Sequence, residues 1–262
     1  LMFEFQYFII GIVQGLTEFL PISSSGHLVL VSELTNWQDQ GLFTDVAVHV
    51  GTLVAVVIYL RHHIISLIKN FFSFRIKNND NLVNIIIATI PAVIIGFIIF
   101  DLVQIYFRDL KIVAVTSIIF AALLFVADHF KIKISKWENM SYIQAFIIGI
   151  FQVLAFIPGA SRAGVTITGA RFLGFDRSSA AIFSMLLSIP IILASLILST
   201  YDLINSPSIN INLPQSIFAS LVACFTALLS IHFMMNFIQR STFNIFIIYR
   251  VMLGFILLYF YA

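Results

Sequence analysis

Two short stretches of this chain carry most of the side chains able to do chemistry. In the first, Gln14 and Glu18 lie four residues apart, and Pro21-Ile22-Ser23-Ser24-Ser25-Gly26-His27 follows. Residues four apart share a helical face. In the second, Pro158-Gly159-Ala160-Ser161-Arg162-Ala163-Gly164 leads into Thr166 and Thr168. Together they hold an acid, a histidine, hydroxyls and an arginine, the groups needed for a base, a nucleophile and an anion clamp. Arg162 is the only basic residue between Lys136 and Arg171. Its planar fork matches phosphate oxygens. Turn N–H groups and helix N-termini favour anions as well. Each serine of the triplet also suits a helix cap.

Both stretches interrupt apolar sequence. Of 262 residues, 60% are hydrophobic and 10% charged, and the mean hydropathy is +1.05. A soluble domain carries about 25% charged residues. A chain this apolar needs lipid around it, so the expected class is an all-α integral membrane protein forming one polytopic domain. The lone Cys224 forms no intrachain disulfide and reads as a small buried hydrophobe. The first apolar run ends in Pro21 and serines, which is not a signal-peptide cleavage site.

Six runs are long enough to span: about 43–60, 82–107, 112–127, 178–200, 215–237 and 243–262. Pro91 and Pro190 fall inside two of them, where kinks are expected. The runs 5–34 and 142–173 break at their polar turns, and each is expected to form a re-entrant hairpin. Irregular backbone at membrane depth survives only inside protein or beside water. Gly11-Ile12-Val13-Gln14-Gly15-Leu16 aligns with Gly149-Ile150-Phe151-Gln152-Val153-Leu154, and a proline with a serine three residues later follows each (Pro21 to Ser24, Pro158 to Ser161). The expectation is an inverted-topology repeat, each half a hairpin plus three transmembrane helices, over about 1–130 and 140–262. Such repeats bring their polar turns together near the midplane.

Cation placement orients this arrangement. Arg61, Lys69, Arg75, Lys77, Lys131, Lys133, Lys136, Arg171, Arg177 and Arg240 fall on one side, and only Arg108 and Lys111 on the other. The crowded side is therefore expected to be cytoplasmic, with both termini outside. Arg162 and Arg250 lie within the membrane region. Asp45 and His49, another i,i+4 pair, either line the same cavity or satisfy each other. Asp101 is placed near a span end in contact with water, and His62, His63 and His129 in cationic loops at the headgroups.

The run from Gln14 to His27 closely resembles the first signature of the undecaprenyl-diphosphatase family, also called bacitracin-resistance proteins, and Pro158 to Ile167 resembles its second. The likeness covers essentially the whole chain in length, span pattern and motif spacing. It implies hydrolysis of undecaprenyl diphosphate to undecaprenyl phosphate, the lipid carrier of cell-wall precursors, and a contribution to bacitracin resistance. By position it makes Ser24 the attacking serine, with Glu18, His27 and Arg162 as the other catalytic residues. In the mechanism expected from these, His27, oriented by Glu18, handles the proton. Gln14, Ser23, Ser25, Gly26, Ser161, Gly164 and Thr166 are expected around the substrate. The resemblance also implies a divalent cation, Mg2+ or Ca2+, with Glu18 as its candidate ligand, although the sequence shows no metal cage. Gln14 stands where many members have Glu, and Ala163 where many have Ser. The expected partners are the polyprenyl diphosphate lipid and the bilayer of a bacterial cytoplasmic (inner) membrane, with no nucleic acid. A homodimer stays open. The runner-up is a transporter or flippase of polyprenyl phosphate lipids, which needs the arginine but no nucleophile.

Overall fold

The computed structural model describes residues 2–35, 37, 40–72, 80–106, 110–134, 136–205 and 212–261, with the side chains of 2–4 and 100–106 set aside. Arg75, Lys77, Arg108 and the side chain of Asp101, all used in the sequence reading, lie outside that description. Eleven α-helices are described, in the order α1 (Met2–Thr17), α2 (Ser24–Thr35), α3 (Gly41–Tyr59), α4 (Arg61–Phe72), α5 (Asn81–Tyr106), α6 (Leu110–Asp128), α7 (Tyr142–Val153), α8 (Arg162–Phe172), α9 (Arg177–Asn205), α10 (Leu213–Ile238) and α11 (Asn244–Tyr261). Six are long and apolar enough to cross a membrane: α3, α5, α6, α9, α10 and α11. They are the six runs read from hydropathy. Large apolar side chains on their outer faces stand exposed, as do Phe97, Ile197 and Tyr259, the arrangement expected of a surface whose solvent is lipid.

Two short helix pairs enter this bundle, and small residues let them in. α1 lies along α10, where Ala219, Ala223 and Ala227 form a fully buried stripe. A Cβ on Gly11 would sit 2.6 Å from the Ala219 carbonyl. α7 lies along α5 in the same way, and a Cβ on Gly149 would sit 2.7 Å from the Ala88 carbonyl. Close backbone approach through small residues is how helices pack where no hydrophobic force separates helix from lipid. Polar contacts fix the register. Asn212 Nδ2 donates to the Tyr7 hydroxyl (3.2 Å), and Ser230 Oγ to the Leu16 carbonyl (2.8 Å). Tyr7 of α1 therefore lies level with the start of α10, and α1 stops against Ser230, about 12 Å short of the far end of α10 at 1.5 Å per residue. On the other pair, Asn84 Nδ2 donates to the Met140 carbonyl (2.8 Å) and Gln152 Nε2 to the Ala88 carbonyl (3.2 Å).

Two details differ from the sequence reading. Residues 61–72, read as part of a cationic loop, form the amphipathic helix α4. Ile64, Leu67, Ile68 and Phe71 recur at helical spacing and so give it one apolar face. Arg171 and Arg177, counted among the cations of one side with no partner assigned, meet at one acid. The Asp128 carboxylate, 1% exposed, accepts from Arg171 Nε (3.2 Å), Arg177 Nε (2.7 Å) and Nη2 (3.1 Å), and the Phe243 N–H (3.2 Å). The cluster pins the end of α6 to the end of α8 and the starts of α9 and α11. Removing one partner of a buried ion pair costs about 3–5 kcal/mol, because the remaining charge is left unmatched. Asp128→Ala is therefore expected to lower the thermal unfolding midpoint in detergent far more than Glu138→Ala, which removes an exposed acid. Equal midpoints for the two variants would contradict the role given to this cluster.

Candidate active site

The site is assembled where the two short pairs break. α1 ends at Thr17 and α2 begins at Ser24; α8 begins at Arg162. Ser24, His27, Arg162 and Gly164 thus stand in the first turns of helices and not in the breaks themselves. Ser23 and Ser161 immediately precede those helices, and both adopt the left-handed region (φ 75° and 69°), the only non-glycine residues described that do. Such backbone is uncommon outside glycine and clusters at functional sites. Ser161 also caps α8, its Oγ accepting from the Gly164 N–H (3.1 Å). By conformation Ser23 corresponds to Ser161, where the sequence had paired Ser24 with it. Ser24 and Arg162 therefore occupy matching positions, the first residue of each helix.

Glu18 joins them. Its carboxylate is buried and accepts from Ser24 Oγ (2.8 Å) and Gln14 Nε2 (3.0 Å) at Oε2, and from Arg162 Nη2 (2.8 Å) at Oε1. Arg162 also donates through Nη1 to the Ser184 carbonyl (3.2 Å), and its Cζ lies 5.9 Å from the centre of the Phe19 ring. One acid thus holds the Ser24 hydroxyl and the Arg162 guanidinium, 138 positions apart in the chain. Its two oxygens aim both groups at a cavity of about 280 Å³, lined by Glu18, Ser23, Ser24, Ser25, Ser161 and Arg162 from the breaks, Asp45 and His49 from α3, and Ser195 and Ser199 from α9.

The remaining candidates divide by position. Ser23, Ser25 and Ser161 line the cavity. Gln14 is wholly buried beneath Glu18, and Thr166 bonds the Arg162 carbonyl (2.9 Å) and Ser184 Oγ (2.7 Å) behind it. Gly26 packs near Val113, and Gly164 packs near Arg250. These four support the wall and do not form it. His27 turns away from Glu18: its Nδ1 meets the Ser23 carbonyl (2.7 Å), and its Nε2 meets the Tyr249 hydroxyl (2.6 Å). The histidine beside Glu18 is His49, with Nε2 3.9 Å from Oε2.

Arg250, to which the sequence reading gave no role, is fully buried behind both breaks. It donates to the carbonyls of Pro21 (3.3 Å), Gly159 (2.9 Å) and Ala160 (3.0 Å). An ionisable residue inside a span is functional by default, and that signal was available in the sequence. Here it ties one break to the other.

A divalent cation finds no ready seat. Among the described residues no group of three His, Cys, Asp or Glu side chains could hold one. Both Glu18 oxygens are committed to an arginine, an amide and a hydroxyl. The described residues alone do not form a cage for a resident metal ion.

The family model described as bacitracin resistance protein BacA matches residues 7–256.

Proposed function

The chain belongs to the bacitracin resistance protein family, and on that premise we propose that it is a membrane phosphatase. It hydrolyses undecaprenyl diphosphate to undecaprenyl phosphate and inorganic phosphate, recycling the lipid carrier for cell-wall synthesis and contributing to bacitracin resistance. The observation that carries this reading is the Glu18 carboxylate, which holds a nucleophilic hydroxyl and an anion-binding guanidinium at one small cavity.

Arg162 binds the terminal phosphoryl oxygens through its fork. The first turns of α2 and α8, whose leading N–H groups have no partner within a helix, add a cradle of backbone donors. Ser24 Oγ, oriented by Glu18, attacks the terminal phosphorus. The bridging P–O bond breaks, and the lipid phosphate leaves with its electrons. Water then cleaves the phosphoserine. Phosphoryl transfer depends mostly on positioning and charge stabilisation, which suits so small a polar set. His27 braces the turn through the Ser23 carbonyl. A magnesium or calcium ion accompanying the substrate would be held mainly by the diphosphate oxygens, where it would neutralise charge.

We also propose that the architecture is the inverted repeat expected above. Gly11 and Gly149, Gln14 and Gln152, Ser23 and Ser161, and Gly26 and Gly164 are each separated by the same 138 residues. α1 sits on α10 as α7 sits on α5. With the cationic side inside, both chain ends face outward, and the cavity, set among the first half of α3 and the last half of α9, opens outward. In a Cys224→Ser background, a membrane-impermeant thiol reagent is expected to label Asn212→Cys on intact cells and to leave Lys131→Cys unlabelled. The reverse pattern would invert the orientation.

The phosphatase reading is tested by product identity. Pure protein given polyprenyl diphosphate should yield lipid monophosphate and inorganic phosphate in equal amounts. Free polyprenol with pyrophosphate would place the cleavage at carbon and overturn it. Intact lipid after binding would favour the transporter, whose repeat architecture this resembles.

A further inference from the structure

We propose that His49 is the proton acceptor of this site, an inference that rests on the phosphatase reading above. Two histidines stand near the breaks, and each holds a backbone carbonyl through Nδ1. For His27 that carbonyl is Ser23 (2.7 Å), and for His49 it is Asp45 (2.7 Å). A carbonyl only accepts, so each Nδ1 carries the hydrogen and each neutral ring keeps its lone pair on Nε2.

At Nε2 the two differ. His27 Nε2 lies 2.6 Å from the Tyr249 hydroxyl, which donates to it, and the two rings stack with centres 5.6 Å apart. That lone pair is taken, and neither His27 nor Tyr249 lines the cavity. His49 Nε2 lies 3.9 Å from Glu18 Oε2, beyond hydrogen-bond length, and its side chain is 33% exposed within the cavity wall. Its lone pair is open to whatever enters. Glu18 itself answers three donors, so it orients the Ser24 hydroxyl and passes the proton on.

The charged groups around His49 are few. Glu18 and Arg162 face the cavity from the breaks, and Asp45 from α3 itself. α9 presents Ser195 and Ser199, and α10 meets α3 through Ser216 and Ser220.

The protons then balance. As Ser24 Oγ bonds the terminal phosphorus and the bridging P–O bond breaks, the hydroxyl proton passes by Glu18 Oε2 to His49 Nε2 and on to water. As water attacks the phosphoserine, His49 takes one of its protons and hands it to the departing Ser24 oxygen. One anhydride bond and one water are consumed, and one proton is released.

An acceptor must be neutral to work, so kcat/KM should rise with pH and then level off. His49→Gln should lower kcat by roughly a hundredfold and abolish that rising limb, while His27→Gln should keep the limb. His49→Ala should regain activity in proportion to added imidazole, and Ser24→Ala should not. Elution on size exclusion checks folding, and the imidazole arm serves if the glutamine variant fails it. A wild-type rate and limb in His49→Gln, loss of the limb in His27→Gln instead, or no imidazole rescue of His49→Ala would each overturn the proposal. Wild-type protein that releases no phosphate at all would sink the phosphatase reading itself, a separate result.

Discussion

Arg162→Ala is expected to insert and fold normally yet lose roughly a hundredfold or more in kcat/KM, on the order of 3 kcal/mol of transition-state stabilisation. The guanidinium stands at the cavity wall with its side chain 13% exposed, bonded to Glu18 and to the Ser184 carbonyl. No other arginine or lysine lines that cavity among the described residues. Truncation removes the charge that meets the phosphoryl oxygens and also releases Glu18 Oε1, so the orientation of Ser24 loosens with it. Arg162→Lys keeps the charge but cannot serve the carboxylate, the carbonyl and a phosphate together, so it should stay clearly impaired. The fold should survive, because α8 is held independently by the Ser161 cap and by Arg171 on Asp128. Near-normal hydrolysis by folded Arg162→Ala would mean that the two breaks do not share a site.

Ser24→Ala should be more damaging still, roughly a thousandfold or more in kcat, because single removal of an attacking hydroxyl disables the set that acts with it. Lipid binding should persist, since the Arg162 fork and the helix first turns remain. The expected pattern is thus a collapse of kcat with little change in the affinity for a polyprenyl diphosphate. Ser23→Ala and Ser25→Ala, which remove hydroxyls that do not reach Glu18, should cost much less. If Ser24→Ala worked at a comparable rate, water would be the attacking group and Ser24 only a cap.

Much of this architecture was readable in the sequence, and the parts that were not share a physical cause. The six spans matched to within a few residues because length and hydropathy alone set them. The breaks were visible because Pro21 and Pro158 interrupt apolar runs. Where the helices resume was not visible. The left-handed turns at Ser23 and Ser161 place Ser24 and Arg162 on the first helical residue, and no residue type announces such a turn at a serine. The Gln14–Glu18 contact followed from i,i+4 spacing and is present at 3.0 Å. The same spacing put Asp45 and His49 on one face of α3 without saying which neighbour that face meets. It meets Glu18. His27, adjacent in sequence to the serines, bonds instead to Tyr249 on α11, a partner 222 residues away that no local pattern predicts. Arg250 could be counted as an intramembrane cation, but its acceptors are backbone carbonyls of both breaks, which sequence does not display.

The most direct test of the central claim uses detergent micelles, because a micelle has no two sides and so cannot report transport. Pure wild-type protein and Ser24→Ala are given the same polyprenyl diphosphate, and inorganic phosphate is followed with time. The account predicts sustained release by the wild type over many turnovers and almost none by a folded Ser24→Ala that still binds the lipid. Wild-type protein that binds the lipid and leaves its diphosphate intact would contradict it.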